Sequence, residues 1–191
     1  MSNKTDIFFH LNGQTAIVTG GGGGIGKSTC VLLAQAGARI IVADRDLSSA
    51  SDTAAEIVAE GGTARASQMD VADETSVTAV FDDVMRREGR IDLLVNNAGL
   101  AIRRPATEVD LADWERVVAV NMTCGVRCAR TAARHMIAAG QGGCIVNVAS
   151  IMGLSGGGLY PNISYQTTKG AVVNMTRALA VEWASHRIRV N

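Results

Sequence analysis

The sequence predicts an α/β fold in which a doubly wound parallel sheet lies between two layers of helices. Short apolar runs rich in Ile, Val and Ala alternate along the 191 residues with longer stretches of helical periodicity. These runs are apolar along their length, as expected of strands that are buried on both faces. A glycine-rich loop at 20–26 joins the first run to the first helix, which is typical of dinucleotide-binding, Rossmann-type domains.

Six runs are predicted to be strands because each combines apolar or β-branched residues with flanking turn formers. In chain order they are 15–19, 39–43, 63–69, 92–95, 144–149 and 188–190. No change of composition marks a second domain, so 1–191 is interpreted as one domain. The last run stops at Asn191, which leaves a strand unfinished, and we therefore expect the sequence to be a fragment.

Five stretches are predicted to be helices from their periodicity and from the glycines that follow several of them. They are 25–36, 47–60, 76–88, 111–139 and 164–185. The third has a clear apolar face, because Val77, Val80, Phe81 and Val84 recur at helical spacing. Between the fifth strand and the last helix, 154–163 is predicted to be irregular and glycine-rich.

The composition narrows the possible partners. A formal net charge of +0 favours neither nucleic acid nor an anionic membrane. No apolar stretch is long enough to span a bilayer, and Met1 to His10 do not resemble a secretory signal, so a cytoplasmic location is expected. None of the four cysteines lies in a Cys-x-x-Cys pair, so reduced thiols and no metal site are expected.

The glycine loop matches two phosphate-binding patterns. Gly21-x-Gly23-x-x-Gly26 has dinucleotide spacing, whereas Gly21-x-x-x-x-Gly26-Lys27-Ser28 has that of a P-loop nucleotide triphosphatase. Either pattern would present backbone N–H groups to a phosphate at a helix start. A flexible loop without a ligand is a third interpretation, and the loop alone does not decide among them.

Two acidic residues follow the next strands. Asp44 could accept hydrogen bonds from an adenosine ribose and repel a 2′-phosphate, which favours NAD, although Arg45 beside it could support NADP. A helix cap is the alternative role for Asp44. Asp70 and Val71 could form a wall for the adenine ring, or Asp70 could be a turn residue before the next helix.

Tyr165 and Lys169 carry the most specific chemical signal. They lie four residues apart on one predicted helical face, where an ammonium stabilises a phenolate and lets the tyrosine exchange a proton with an alcohol. Ser150 follows the fifth strand at the ligand-binding edge, where it could polarise a carbonyl or simply cap a turn. Asn121 lies within the long helix, either holding a backbone or water hydrogen bond or facing solvent.

Together, the motifs Thr19-Gly20-x-x-x-Gly24-x-Gly26, Asn96-Asn97-Ala98-Gly99, Asn121, Ser150 and Tyr165-x-x-x-Lys169 resemble those of the classical short-chain dehydrogenases/reductases. The resemblance implies a Rossmann fold, hydride transfer with NAD(H) or NADP(H), and a homotetramer or homodimer packed through the long helix and the Tyr165 helix. It implies that Tyr165 is the general acid/base, Lys169 binds the nicotinamide ribose, Ser150 positions the substrate oxygen and Asn121 orders a relay water. The implied cofactor contacts are Gly20, Gly24, Ile25, Gly26, Asp44, Arg45, Asp70, Val71, Asn97, Ala98, Gly99, Tyr165 and Lys169.

Two departures from this family qualify the expectation. The segment between Ser150 and Tyr165 is longer than usual and rich in glycine (Gly153, Gly156, Gly157 and Gly158), similar to polyol and secondary-alcohol dehydrogenases. The chain also stops before the family's substrate loop and last strand. We therefore expect an NAD-dependent oxidoreductase for a polyol, diol or cyclic alcohol. The alternatives are a 3-oxoacyl-thioester reductase, a P-loop nucleotide triphosphatase and a non-catalytic dinucleotide sensor.

Overall fold

The structure is a computed structural model that describes residues 9–156 and 160–191. Residues 1–8, which were compared above with a secretory signal, lie outside the described residues, as do Gly157 and Gly158 of the glycine-rich segment. In the described part of the chain, no helix is both long and apolar enough to cross a bilayer.

Six parallel strands form one sheet, in the order β3-β2-β1-β4-β5-β6. The strands are β1 Thr15–Thr19, β2 Arg39–Asp44, β3 Thr63–Gln68, β4 Leu93–Asn96, β5 Gly143–Asn147 and β6 Ile188–Val190. The strand order reverses between β1 and β4, so the loops that leave these two strands diverge and open a crevice at their carboxyl ends. The predicted doubly wound parallel sheet is confirmed.

Helices cover both faces of the sheet. They are α1 Gly24–Gln35, α2 Leu47–Ala59, α3 Glu74–Glu88, α4 Leu111–Val118, α5 Cys124–Ala139 and α6 Ile163–Trp183. Three of them begin at an aspartate, because Asp46, Asp73 and Asp110 each accept a hydrogen bond from a first-turn backbone N–H group. Helix α1 differs: its N-cap is Gly23, and no side chain among the described residues caps it.

The core has one apolar cluster on each face of the sheet. Strand β1 is completely buried and contributes Ile17 to one cluster and Ala16 and Val18 to the other. The expectation of apolar strands is wrong for β3, whose sequence is Thr-Ala-Arg-Ala-Ser-Gln and whose residues are half-buried or exposed. This strand lies at the edge of the sheet, where its side chains do not need to be apolar on both faces.

The predicted single helix over 111–139 is interrupted. Between α4 and α5, residues Ala119–Thr123 form a π-helical turn, which inserts one extra residue into the helical ladder. The turn rotates the side chains on either side relative to a continuous α-helix, and its central residue, Asn121, is buried. The sequence of this turn contains neither Gly nor Pro, so no local signal predicted the interruption.

Candidate active site

Two adjoining cavities lie at the carboxyl edge of the sheet. Their volumes are about 430 Å³ and about 460 Å³, within the range of roughly 300–1,000 Å³ that is usual for small-molecule sites. Ile25, Asn97, Gly99 and Leu100 line both of them, so the two form one continuous cleft. We call the first the catalytic cavity, since it is lined by three residues expected to be catalytic, Ser150, Tyr165 and Lys169, and the second the adenosine cavity, since it is lined by Asp44, which was expected to bind the adenosine ribose.

The glycine loop fits closely against the turn after β4. A Cβ atom on Gly26 would overlap the carbonyl oxygen of Gly20 and lie 2.6 Å from Asn97 Nδ2. Gly20 itself has a φ of 65°, which side-chain-bearing residues rarely adopt. A Cβ atom on Gly23 or Gly24, by contrast, would meet nothing within 4 Å among the described residues. The loop is therefore packed on one side and open on the other, at the uncapped start of α1, where its N–H groups can receive a pyrophosphate.

The side chains of Thr19 and Asn97 fix this arrangement. The Thr19 hydroxyl accepts hydrogen bonds of 3.0 Å from the backbone N–H groups of Asn97 and Ala98. Asn97 Nδ2 donates to the carbonyl oxygens of Thr19 at 3.0 Å and Gly20 at 3.1 Å. The sequence indicates Thr19 only as part of a motif. In the structure, Thr19 is 1% exposed, and its hydroxyl joins the glycine loop to the turn after β4.

Asp44 is held at the rim of the adenosine cavity. Its Oδ2 atom accepts a hydrogen bond of 3.0 Å from the Gly22 N–H group, and Oδ1 accepts one of 3.0 Å from the Asp46 N–H group. The N-cap of α2 is Asp46, so the alternative role of Asp44 as a helix cap is wrong. Arg45 lines the same cavity beside this fixed carboxylate.

Asp70 combines the two roles that the sequence left open. Its Oδ1 atom accepts a hydrogen bond of 2.9 Å from the Ala72 N–H group, which closes the turn before α3. Asp70 and Val71 also line the adenosine cavity. A turn residue can therefore form part of the cavity wall.

Tyr165 and Lys169 lie one helical turn apart on α6 and face the catalytic cavity. Lys169 is only 4% exposed, and its Nζ atom donates a hydrogen bond of 2.6 Å to the Val148 carbonyl oxygen. The same Nζ atom lies 5.6 Å from the centroid of the Tyr165 ring. Burial lowers the pKa of the Lys169 ammonium, and the neighbouring Cys124 opposes this change. Both side chains therefore line the space that a ligand in this cavity would occupy.

Ser150 lies after β5 and lines this cavity. Its Oγ atom accepts a hydrogen bond of 3.2 Å from the Met152 N–H group and so caps the 3₁₀ turn Ile151–Gly153. The cap uses an oxygen lone pair and leaves the hydroxyl proton for a ligand. Ser150 thus caps a turn and lines the catalytic cavity at the same time.

Asn121 lies behind the cavity wall and does not line the cavity. It is 4% exposed, so the interpretation as a solvated helix residue is wrong. Its Oδ1 atom accepts from the Leu100 N–H group at 2.8 Å, and Nδ2 donates to the Leu100 carbonyl oxygen at 2.8 Å and to Thr168 Oγ1 at 3.2 Å. Both amide protons are used, and the side chain joins the loop after β4 to α6.

Among the residues that line the catalytic cavity are three polar side chains to which the sequence assigned no role: Arg103, Tyr160 and Asn162. They lie in irregular segments, where no periodicity indicates which side chains face a cavity. The P-loop interpretation fails at Lys27, whose Nζ atom pairs with Glu56 of α2 at 2.7 Å instead of facing the cleft. Within the described ranges, no cluster of three or more metal-ligating side chains was found, and the four cysteines are unpaired thiols.

The chain is similar to known dehydrogenases in both sequence and structure. A family model described as "short chain dehydrogenase" matches residues 14–191. D-threitol dehydrogenase of Mycolicibacterium smegmatis is 38% identical over 98% of this chain and 71% of its own length. Cis-4-hydroxycyclohexanecarboxylate dehydrogenase of Sinomonas cyclohexanicum is 41% identical over 93% of this chain and 70% of its own length. The crystal structure of a gluconate 5-dehydrogenase from Burkholderia cenocepacia, in complex with NADP and tartrate, has a TM-score of 0.89 and 37% identity, and covers 96% of this chain and 71% of that one.

Proposed function

This chain belongs to the short-chain dehydrogenase family, and we propose that it transfers a hydride between NAD(H) and a secondary alcohol or its ketone, of the polyol, diol or cyclic type. Membership makes it an NAD(P)-dependent oxidoreductase that acts on CH–OH groups. The observation that carries the proposal is that Tyr165, Lys169 and Ser150 line a cavity continuous with the open side of the glycine loop. A polyol and a cyclic alcohol are named as substrates of the two relatives, which supports the proposed substrate class.

The residues of the cleft fit a dinucleotide. The uncapped start of α1 and the open side of Gly23 and Gly24 would hold the pyrophosphate, Asp44 the adenosine ribose, and Lys169 the nicotinamide ribose. When bound, the oxidised cofactor supplies the acceptor for the hydride that leaves the carbinol carbon.

Proton transfer falls to Tyr165. As the alcohol is oxidised, its oxygen loses a proton to the Tyr165 phenolate, and a carbonyl forms; reduction reverses both steps. The Ser150 hydroxyl donates to the substrate oxygen and holds it toward Tyr165. The buried Lys169 side chain lies beside this tyrosine, with Nζ 5.6 Å from the centroid of the Tyr165 ring.

Asn121 is a positioning residue in this proposal. It fixes the Leu100 backbone, which lines both cavities, against Thr168 of α6. A Cβ atom on Gly99 would lie 3.4 Å from Asn121 Oδ1 and 3.7 Å from Lys169 Nζ, so these groups converge on one point of the wall. With both amide protons committed, Asn121 acts by holding this wall, and a relay water would have to bind through other atoms.

A preference for NAD follows from Asp44. Two backbone N–H groups hold its carboxylate at the cavity rim, so it cannot swing away from a ribose 2′ position without losing both bonds. A 2′-phosphate would meet this negative charge, whereas a 2′-hydroxyl could donate to it. The gluconate 5-dehydrogenase structure contains NADP, and this observation concerns the cofactor of that relative.

We also propose that the enzyme is a homotetramer or homodimer packed through α4, α5 and α6. Large apolar side chains on these helices are exposed, with Leu111 at 74%, Val126 at 44% and Val181 at 81%. Such surfaces are usually covered in an assembly. A monomeric mass in sedimentation equilibrium at micromolar concentration would refute this part of the proposal.

The test of the catalytic proposal is Tyr165→Phe. Removing the hydroxyl is expected to lower kcat roughly 100- to 10,000-fold, the contribution of general acid–base catalysis, while the affinity for NADH is retained. NADH formation is measured with a panel of polyols, diols and cyclic alcohols. NADH consumption is measured with 3-oxoacyl thioesters, for which NADH is the reductant. Undiminished turnover in a folded Tyr165→Phe enzyme would refute the mechanism. NADH binding without turnover of any compound by the unaltered enzyme would favour the non-catalytic sensor.

A further inference from the structure

Among the described residues, two cations and no acidic side chain line the catalytic cavity. The cations are Lys169 and Arg103, and the remaining lining residues in the described part of the chain are neutral. Lys169 is accounted for by its bond to the Val148 carbonyl oxygen and by its position beside Tyr165. The charge of Arg103 has no role in the activity proposed above.

Arg103 is held in place by an aromatic ring. Its guanidinium carbon lies 3.9 Å from the centroid of the Tyr160 ring, which also lines the cavity. Stacking covers a face of the planar guanidinium and leaves its N–H edge for a ligand. No carboxylate of the described residues lies within salt-bridge distance of Arg103, whereas the adjacent Arg104 pairs with Asp113 at 3.5 Å. The two neighbouring arginines therefore have different environments.

Asn162 supplies an independent observation at the same wall. It is 3% exposed and lines the cavity together with Arg103 and Tyr160. Its Oδ1 atom is buried and has no hydrogen-bond partner among the residues that the structure describes. A buried acceptor without a donor is costly, and a ligand hydroxyl would satisfy it.

We infer that the preferred substrate is an alcohol that also bears a carboxylate, and that the Arg103 guanidinium binds this carboxylate. The inference rests on the proposed function, because it places the carboxylate in the cavity where Ser150 and Tyr165 handle the hydroxyl. A planar guanidinium that is already oriented by an aromatic ring suits two-point binding of a carboxylate. Asn162 accepts from a further hydroxyl of the substrate where one is present.

Pairs of compounds that differ only in charge test the inference. We suggest 3-hydroxybutanoate, 3,4-dihydroxybutanoate and 3-hydroxycyclohexanecarboxylate, each compared with its primary amide. For at least one pair, kcat/KM of the unaltered enzyme for the acid is expected to exceed that for the amide roughly 10- to 100-fold, the contribution of a charged hydrogen-bonded pair. Arg103→Gln should abolish this preference, because KM for the acid is expected to rise far more than KM for the amide. Arg104→Gln is the matched control and should leave both compounds unaffected.

A binding experiment separates this inference from the proposed function. Cyclohexanecarboxylate, which has no hydroxyl to oxidise, is titrated into the enzyme saturated with NAD by calorimetry. Its Kd should rise about 10-fold or more in Arg103→Gln and stay constant in Arg104→Gln. If this holds while no alcohol is oxidised, the carboxylate site stands and the proposed oxidoreductase activity on these substrates fails. Amides that react as well as the acids, or an equal loss for both in Arg103→Gln, would overturn the carboxylate site and leave the oxidoreductase intact.

Discussion

Replacing Gly26 with alanine tests the packing of the glycine loop directly. Helix propensity alone predicts that this substitution stabilises the protein by about 1 kcal/mol, since Gly26 lies in the first turn of α1. The structure predicts the opposite, because the new Cβ atom would overlap the Gly20 carbonyl oxygen and lie 2.6 Å from Asn97 Nδ2. Ordinary contact begins near 3.4 Å, so the loop and the Asn97 turn must separate.

The cost can be estimated from the contacts that would be lost. Overpacking costs about 1–3 kcal/mol. Each of the two Asn97 Nδ2 bonds, to the carbonyl oxygens of Thr19 and Gly20, contributes about 0.5–1.5 kcal/mol. Together they give a loss of about 2–6 kcal/mol, or about 1–5 kcal/mol after the gain of about 1 kcal/mol in helix propensity, which for a protein of this size lowers Tm by about 2–20 °C.

Gly23→Ala is the matched control within the same loop. Gly23 has an extended backbone (φ −164°) and a Cβ there meets nothing within 4 Å, so any loss of stability comes from alanine's weaker capping, about 1 kcal/mol at most. Because Gly23 lines the cleft, its methyl group should instead lower the affinity for NADH. Tm is measured by calorimetry and NADH affinity by fluorescence titration. A Gly26→Ala enzyme with unchanged or higher Tm, or a Gly23→Ala enzyme that binds NADH normally, would refute this account of the loop.

Two further predictions concern a buried thiol and the cofactor preference. Burial raises the pKa of Cys30 to about 12, above the 9.0 of an exposed thiol, so this group stabilises the fold below pH 9 and loses that contribution as the pH rises toward 12. Urea unfolding should therefore show the wild type losing roughly 3 kcal/mol relative to Cys30→Ala between pH 8 and pH 11. Parallel pH profiles of the two proteins would contradict the burial of the thiol. For one alcohol substrate, Asp44→Asn should lower the ratio of kcat/KM with NAD to kcat/KM with NADP by roughly 10- to 100-fold, since it removes the charge that faces a 2′-phosphate. An unchanged ratio would mean that residues other than Asp44 determine the cofactor preference.

The sequence indicated those parts of the site that follow regular elements. Asp44 is the last residue of β2 and Ser150 follows β5, and parallel strands bring their carboxyl ends to one edge of a sheet. Tyr165 and Lys169 are four residues apart on a helix, which places them on one face. In each case a local pattern and a rule of chain geometry were sufficient to bring the side chains to the cleft.

The remaining parts depend on contacts between distant segments. The stacking of Arg103 on Tyr160 joins two irregular segments, and neither has a periodicity that orients its side chains. The π-helical turn at Ala119–Thr123 likewise has no sequence signal, and its buried residue Asn121 makes a hydrogen bond with Leu100, 21 residues away. The sequence left the hydrogen-bond partner of Asn121 open, and only the three-dimensional contacts show that this side chain supports the cavity wall from behind.

The helix that carries Tyr165 owes its position mainly to polar contacts. Only two of the 21 residues of α6 are buried apolar side chains, while Thr168, Lys169 and Thr176 make hydrogen bonds of 2.6–3.2 Å to the π-helical turn and to β5 and the loop after it. A shift of α6 by one residue would turn each side chain by about 100° and leave these buried groups unpaired, at about 1–3 kcal/mol each. Apolar packing tolerates such a shift more readily because it has no fixed direction. The polar contacts therefore define one register for α6, and in the proposed mechanism this register sets the distance between the Tyr165 hydroxyl and the substrate oxygen, on which proton transfer depends.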